Sequence, residues 1–237
     1  MNPRPLARMR TRRAAIGLAL TGLLGLAGCD PRSMFFFLQP FDPSVAATGP
    51  SLKGKRVVVL THAVSSARAD APEVDKEVGR QVVAILREKV KHIEVVEPSK
   101  VRAWVEANPS WTDAGEAAKA FEADVAVYLE IQQFEIQSSI SPGLFQGKAS
   151  VHVQVVNFGP PKDSKGKPIH NVPKVSEPGF EDDCVVEFPK NGHLPMDSGV
   201  TRPTFKKKFL GLLASEVSWR FVEHGTGDDI QDMKFSN

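Results

Sequence analysis

Cysteine is almost absent from this chain: its 237 residues hold two, Cys29 and Cys184. That excludes a disulfide-dense scaffold. Glycine is missing where a nucleotide-binding fold would need it. Residues 61–70, after the first strand-like run, contain none, so no phosphate-cradling loop leads from strand to helix. No Gly-x-Ser-x-Gly or cysteine-centred nucleophile pattern occurs, which removes the common acyl-transfer layouts. His62, His92 and His152 have no metal-ligating residue four positions on, so none of them starts a helical ligand pair. Long apolar runs are lacking too. The uncharged N-terminal stretch, residues 14–28, is shorter than the ~20 residues that a membrane-crossing helix needs.

What stands in place of a membrane span is a processing signal. Arg4, Arg8, Arg10, Arg12 and Arg13 form a basic start without an acid, an uncharged stretch follows, and small residues end it. This is the layout of a secretory signal. Leu26-Ala27-Gly28-Cys29 resembles the bacterial lipobox. The resemblance implies that diacylglycerol alkylates the Cys29 thiol, that the chain is cut before it, and that the new amine is acylated. One acyl chain binds a membrane reversibly and two or more bind it stably, so Cys29 is expected to anchor the protein. Residues 1–28 are the expected signal peptide. The expected location is a membrane, inner or outer, with the protein facing the periplasm.

The charge follows from that cut. The whole chain carries a formal +2, but residues 1–28 hold five arginines and no acid, so the remainder has 25 basic and 28 acidic residues, a charge of −3. The basic isoelectric point belongs to the signal, and nucleic acid is not an expected partner. With Cys29 lipidated, Cys184 has no disulfide partner; it is expected to be a small buried strand residue.

Residues 29–53 read as a lipidated tether with four prolines and the cluster Phe35-Phe36-Phe37. Two readings of that cluster stay open: it enters the membrane interface, where aromatic rings are favoured, or it packs on the domain. Residues 54–225 read as a single domain. Arg56 to Thr61 is a β-branched run, hence a buried strand. Asp70 and Glu73 mark a helix start, and Val74, Val78, Val82, Ile85, Leu86 and Val90 share one helical face. Residues 93–96 form a second short strand. Val101, Trp104 and Val105 mark a helix stopped at Asn108-Pro109. Thr112 is the expected cap of another.

The longest alternation is Val125, Val127, Leu129 and Ile131, after which the apolar set moves to Phe134 and Ile136. A period of two cannot change parity without an extra residue, so a bulge is expected at Gln132-Gln133. Ala149, Val151, Val153 and Val155 alternate with Ser150, His152 and Gln154 in the returning strand of a long hairpin. Residues 158–181, rich in Pro, Gly and Lys, read as a loop insertion. Asp183 to Phe188 is one more strand. Thr201 and Pro203 open a last helix that His224-Gly225 ends, and residues 226–237 form a polar tail.

The order β-α-β-α-α-β-β-β-α predicts an α/β (α+β) fold. It is a mixed sheet with a long antiparallel hairpin and helices packed on it. "FEADVAVYLEIQQF" and "GKASVHVQVVN", set after this strand and helix order, resemble the amino-terminal domain of TolB. They are similar also to the CsgG and LpoB families of bacterial envelope proteins. Ala123-Asp124 leading into a long strand, and the valines 151, 153 and 155 returning, carry the resemblance over residues 55–157. The whole chain, including "SEVSWRFVEH", resembles uncharacterised planctomycete lipoproteins.

These observations predict a membrane-anchored, non-enzymatic binding or assembly module of the cell envelope, without cofactor or metal. Its partner is expected to be an envelope protein met by the hairpin, with Glu130, Gln132, His152 and Gln154 on the wet strand face. The hairpin edge is the expected pairing site. Resemblance to CsgG implies an alternative, a subunit of a membrane-associated oligomer. A lesser alternative is a hydrolase or zinc site near Asp182 and His193, with His170, Cys184 and Asp183 around it.

Overall fold

A computed structural model describes residues 44–69, 71–137, 141, 143–161, 163–169, 172–190 and 192–226. The expectations for Cys29, Phe35–Phe37, Asp70, His170 and the tail beyond residue 226 lie outside them.

The fold is mixed α+β. A six-stranded sheet is built on the path β3 (Glu94–Val95), β2 (Arg56–Ala63), β4 (Val125–Gln137), β5 (Leu144–Gly159) and β6 (Val175–Phe188), and β7 (Leu194–Pro195) pairs with the start of β5. β2 is parallel to both β3 and β4, and β4, β5 and β6 are antiparallel. Helix α1 (Val74–Lys89) joins β2 to β3; α2 (Pro98–Ala107) and α3 (Ala114–Ala120) join β3 to β4; α4 (Arg202–Ser218) follows the sheet.

Alternation along the strands divides the core in two. Val57, Val59, Leu129, Val151 and Cys184 face α1 and α4 in the larger cluster. Val58, Leu60, Ala126 and Val156 face α2 and α3 in the smaller one. Helices thus lie on both faces of the parallel part. Each right-handed crossover takes its own face because the chain first moves to one side of β2 and then to the other.

The parity change in β4 is a register shift between Ile131 and Gln133, where the bulge was expected. Phe134 and Ile136 are restored to the core, each 1% exposed. Gly147 on β5 makes room for α4. A Cβ there would lie 2.6 Å from the Phe209 ring, so the helix seats only against glycine.

Four local expectations change. The strand expected from Asp183 starts at Val175 and pairs with β5 over its whole length, so the outer part of the expected 158–181 loop is sheet. Pro178 and Gly179 hide the strand in the sequence. They sit at a register shift between Val155 and Val156, on an edge where a missing N–H is tolerated. Asp113, not Thr112, caps α3: its carboxylate accepts from Gly115 N–H at 3.0 Å, and Glu116 reaches back to the N–H groups of Asp113 and Thr112. Glu73 holds the N-cap of α1 without a side-chain bond to the helix's free N–H groups. Helix α4 ends at Ser218, and His224–Gly225 is instead β8, paired with β1 (Ser44–Val45).

Packing also begins before residue 54. Leu52 is 1% exposed in the larger cluster, and Gly49 N–H donates to the Arg220 carbonyl at 2.6 Å. Gly54, at φ +69°, closes the turn into β2.

Candidate functional site: an acidic sheet face centred on His152

Helices α2 and α3 cover the sheet only near the amino end of β4. Beyond them the same face is open. Pairing sets His62, Glu130, His152 and Asp183 side by side in one row across β2, β4, β5 and β6. The next row is Leu60, Tyr128, Gln154 and Glu181. Laterally paired residues share a face, so the expected residues Glu130, His152 and Gln154 are brought together. Gln132 sits at the bulge, and its amide donates to Glu130 Oε2 at 3.5 Å.

His152 is the centre. Its Nδ1 lies 2.7 Å from Asp183 Oδ1, and its Nε2 lies 3.0 Å from Glu181 Oε1. Only the imidazolium donates from both nitrogens. The Asp183 hydrogen bond, helped by the charges of Asp183 and Glu181, raises the His152 pKa above 6.5 against the opposing effect of burial. Glu181 and Asp183 are themselves 66% and 70% exposed, so their outer oxygens face solvent.

An aromatic wall borders this face. The Tyr128 ring meets Trp111 edge-on at 5.5 Å, and Trp104 packs against Trp111 and Phe121 at 6.4 and 6.2 Å. Burial, then the Glu130 carboxylate, pushes the Tyr128 hydroxyl up to about 12. It stays a neutral donor beside an anion.

A raised histidine pKa fixes a sign. The His152 contribution to stability is complete below its unfolded pKa of 6.5 and is lost as pH rises through the higher folded value. Wild type is therefore expected to exceed His152→Gln in urea midpoint by more at pH 5.5 than at pH 8.5. An equal margin at both pH values would show that the imidazolium is not held by these carboxylates.

Most of the expected hairpin edge is covered by neighbouring strands. β4 is paired by β2 over Val125–Ile131 and by β5 on its other side, and β5 lies between β4 and β6. Beyond Ile131 no described strand pairs with the β2 side of β4, so the open part of the hairpin edge is residues 132–137. The outer edge belongs to β6, whose Val185 is 77% exposed.

The residues of the lesser alternative are kept apart. Asp182 and Asp183 are neighbours on a strand and point to opposite faces. Asp182 accepts from Arg220 Nε at 3.0 Å. Cys184 is 1% exposed, the buried strand residue expected, and burial pushes its thiol up to about 12. His193 precedes β7, whose Leu194 pairs with Phe145, whereas Asp182 pairs with Val153 eight residues further along β5. At about 3.3 Å per residue, roughly 25 Å of strand separates them. Among the described residues no group of three His, Cys, Asp or Glu could hold a metal ion.

Glu181, Asp183, Tyr128 and Trp111 were not predicted as parts of the site. In the sequence Glu181 ends the expected 158–181 loop, and Asp183 opens the next strand. Placing them beside His152 requires knowing that β6 starts at Val175.

No protein-family model and no curated protein matches the chain. Among solved structures it is similar to the PelC dodecamer from Paraburkholderia phytofirmans, at 10% identity and a TM-score of 0.39 over 76% of this chain and 95% of that one. It is similar to lipoprotein GNA1162 from Neisseria meningitidis, at 12% identity and a TM-score of 0.41 over 71% and 95%. The hypothetical protein CT253 from Chlamydia trachomatis is 14% identical with a TM-score of 0.38, over 70% and 96%. At these values the likenesses carry no argument about function.

Proposed function

We propose that this chain is a lipid-anchored, non-enzymatic binding or assembly module of a bacterial cell envelope, held to a membrane through Cys29 and facing the periplasm. No helix among the described residues is long and apolar enough to cross a membrane, which agrees with anchoring by acyl chains. One observation carries the binding role: the open sheet face on which Glu130, Glu181 and Asp183 surround His152 beside the Tyr128 and Trp111 rings. Carboxylates next to aromatic faces suit a partner that presents lysine or arginine, through ion pairs and cation–π contact. The resemblance of residues 55–157 to the TolB, CsgG and LpoB families belongs to the same reading.

Glu130→Lys with Gln154→Lys tests it. Both side chains are half-buried on the open face, so the variant is first checked to melt like wild type and to be lipidated. A crosslinked pull-down with the anchored variant as bait is expected to recover the wild-type partner at least about tenfold less, as two like-charge contacts cost several kcal/mol. Unchanged recovery would move the binding surface elsewhere.

β6 supplies the observation for a second reading, an oligomer subunit. It spans 14 residues with one side unpaired by any described strand, and it exposes Val185. Glu177, Glu181, Asp183 and Glu187 along it oppose pairing with a second copy of itself. The size of the protein in detergent separates the two readings.

A further inference from the structure

On the side of β2 away from β4, strand β3 runs beside it for two residues and stops. The ladder ends at Val57 and Val95, and the chain turns through Glu97 into α2. β2 continues to Ala63. Peptide groups alternate sides along a strand. The Val57 carbonyl accepts from Val96 toward β3, so the N–H and C=O of Val59 and Thr61 point to the same side, past the end of β3. There the structure has a cavity of about 350 Å³ between α1 and α2. It lies at the carboxyl end of parallel strands whose connections leave to opposite faces, the position at which open α/β sheets hold ligands.

Its walls specify the ligand. Val83, Val101 and Val105 line it with apolar surface. Arg68 and Lys76 line it too, but Asp75 and Glu73 occupy them. Arg80 and Arg102 are exposed and make no hydrogen bond or ion pair among the described residues, and Glu106 is the one other carboxylate on the wall. The cavity thus offers free donors and acceptors of strand type, an apolar slot and an excess of positive charge. A small anion uses only the charge. An extended peptide uses all of it.

We infer that this crevice is a binding site for the free C-terminus of an extended peptide, which continues β3 along β2 and places its carboxylate at Arg80 and Arg102. Main-chain pairing to an open edge gives affinity, and the slot receives alternate side chains. The volume, near the low end of ligand pockets, fits about three residues. His62, at the end of the His152 row, also lines this crevice, but the carboxylate site is built by Arg80, Arg102 and the β2 edge and does not depend on that face.

The probe is fluorescein-Gly-Ser-Gly-Val-Val-Val with a free carboxylate, followed by anisotropy as the full chain is titrated. Its C-terminal amide is expected to bind at least about tenfold more weakly, as a charge-assisted hydrogen bond commands. The Arg80→Ala, Arg102→Ala double variant, altered only at exposed positions, is expected to lose a similar factor while melting like wild type. N-methylation of the penultimate valine is expected to abolish binding by removing the strand donor. Equal binding of acid and amide, or unchanged binding to the double variant, would overturn the carboxylate site. Equal binding of the methylated peptide, or displacement by millimolar inorganic phosphate, would overturn strand pairing and leave an anion site only. No anisotropy change would overturn the proposal altogether.

Discussion

Replacing Phe205 by alanine is expected to lower the unfolding free energy by about 3–5 kcal/mol, the range for a fully buried aromatic. Phe205 is 0% exposed. Its ring stacks on Phe145 of β5 at 5.0 Å and lies 5.6 Å from Phe188 of β6 and 6.4 Å from Phe209 one turn along α4. The cost falls at the high end because the site cannot collapse. Phe145 and Phe188 stand on separate strands held by ladder hydrogen bonds, and β5 meets the helix through Gly147, already in contact with Phe209. Domains of this size have only about 5–15 kcal/mol to lose. The expected readout is a urea midpoint that falls with an unchanged slope. A loss below about 1 kcal/mol would mean that Phe205 does not seat α4 on the sheet.

Cys29→Ser is expected to release the protein from the membrane. The lipobox resemblance puts three acyl chains on this residue. At about 0.8 kcal/mol per buried methylene, two chains already anchor stably, and a serine takes none. The variant should remain uncut or leave the membrane fraction, and a palmitate analogue should label wild type alone. Equal labelling of the variant would remove the anchor from the proposed function.

Much of the architecture is legible from periodicity. The valines of β2, the single apolar face of α1 and the switch from odd to even positions in β4 each give one physical answer, because burial on one side imposes the pattern. β6 is not legible, for the same reason in reverse. In its first half only Ser176 meets α3, at Gly115, its apolar residues are buried only from Cys184 onward, and Pro178-Gly179 interrupts it. Half of the acidic face was readable for that reason. Glu130 and His152 follow from alternation, whereas Glu181 and Asp183 join them through register with a strand that carries no alternation there. The crevice beside β2 was out of reach. It exists because β3 stops after two residues, and an ending leaves no periodic trace.

The pairing of β1 with β8 sets Ser44 opposite Gly225, so the domain begins and ends at a single corner. The chain between them is topologically a loop with its ends in register. A short linker across that corner, with a new break in the segment between β5 and β6, would preserve every pairing of the six-stranded sheet. Circular permutation is tolerated where ends are close and the new opening is exposed. The attachment point of the proposed anchor is thus a property of where the chain is cut, and can be relocated without redesigning the fold.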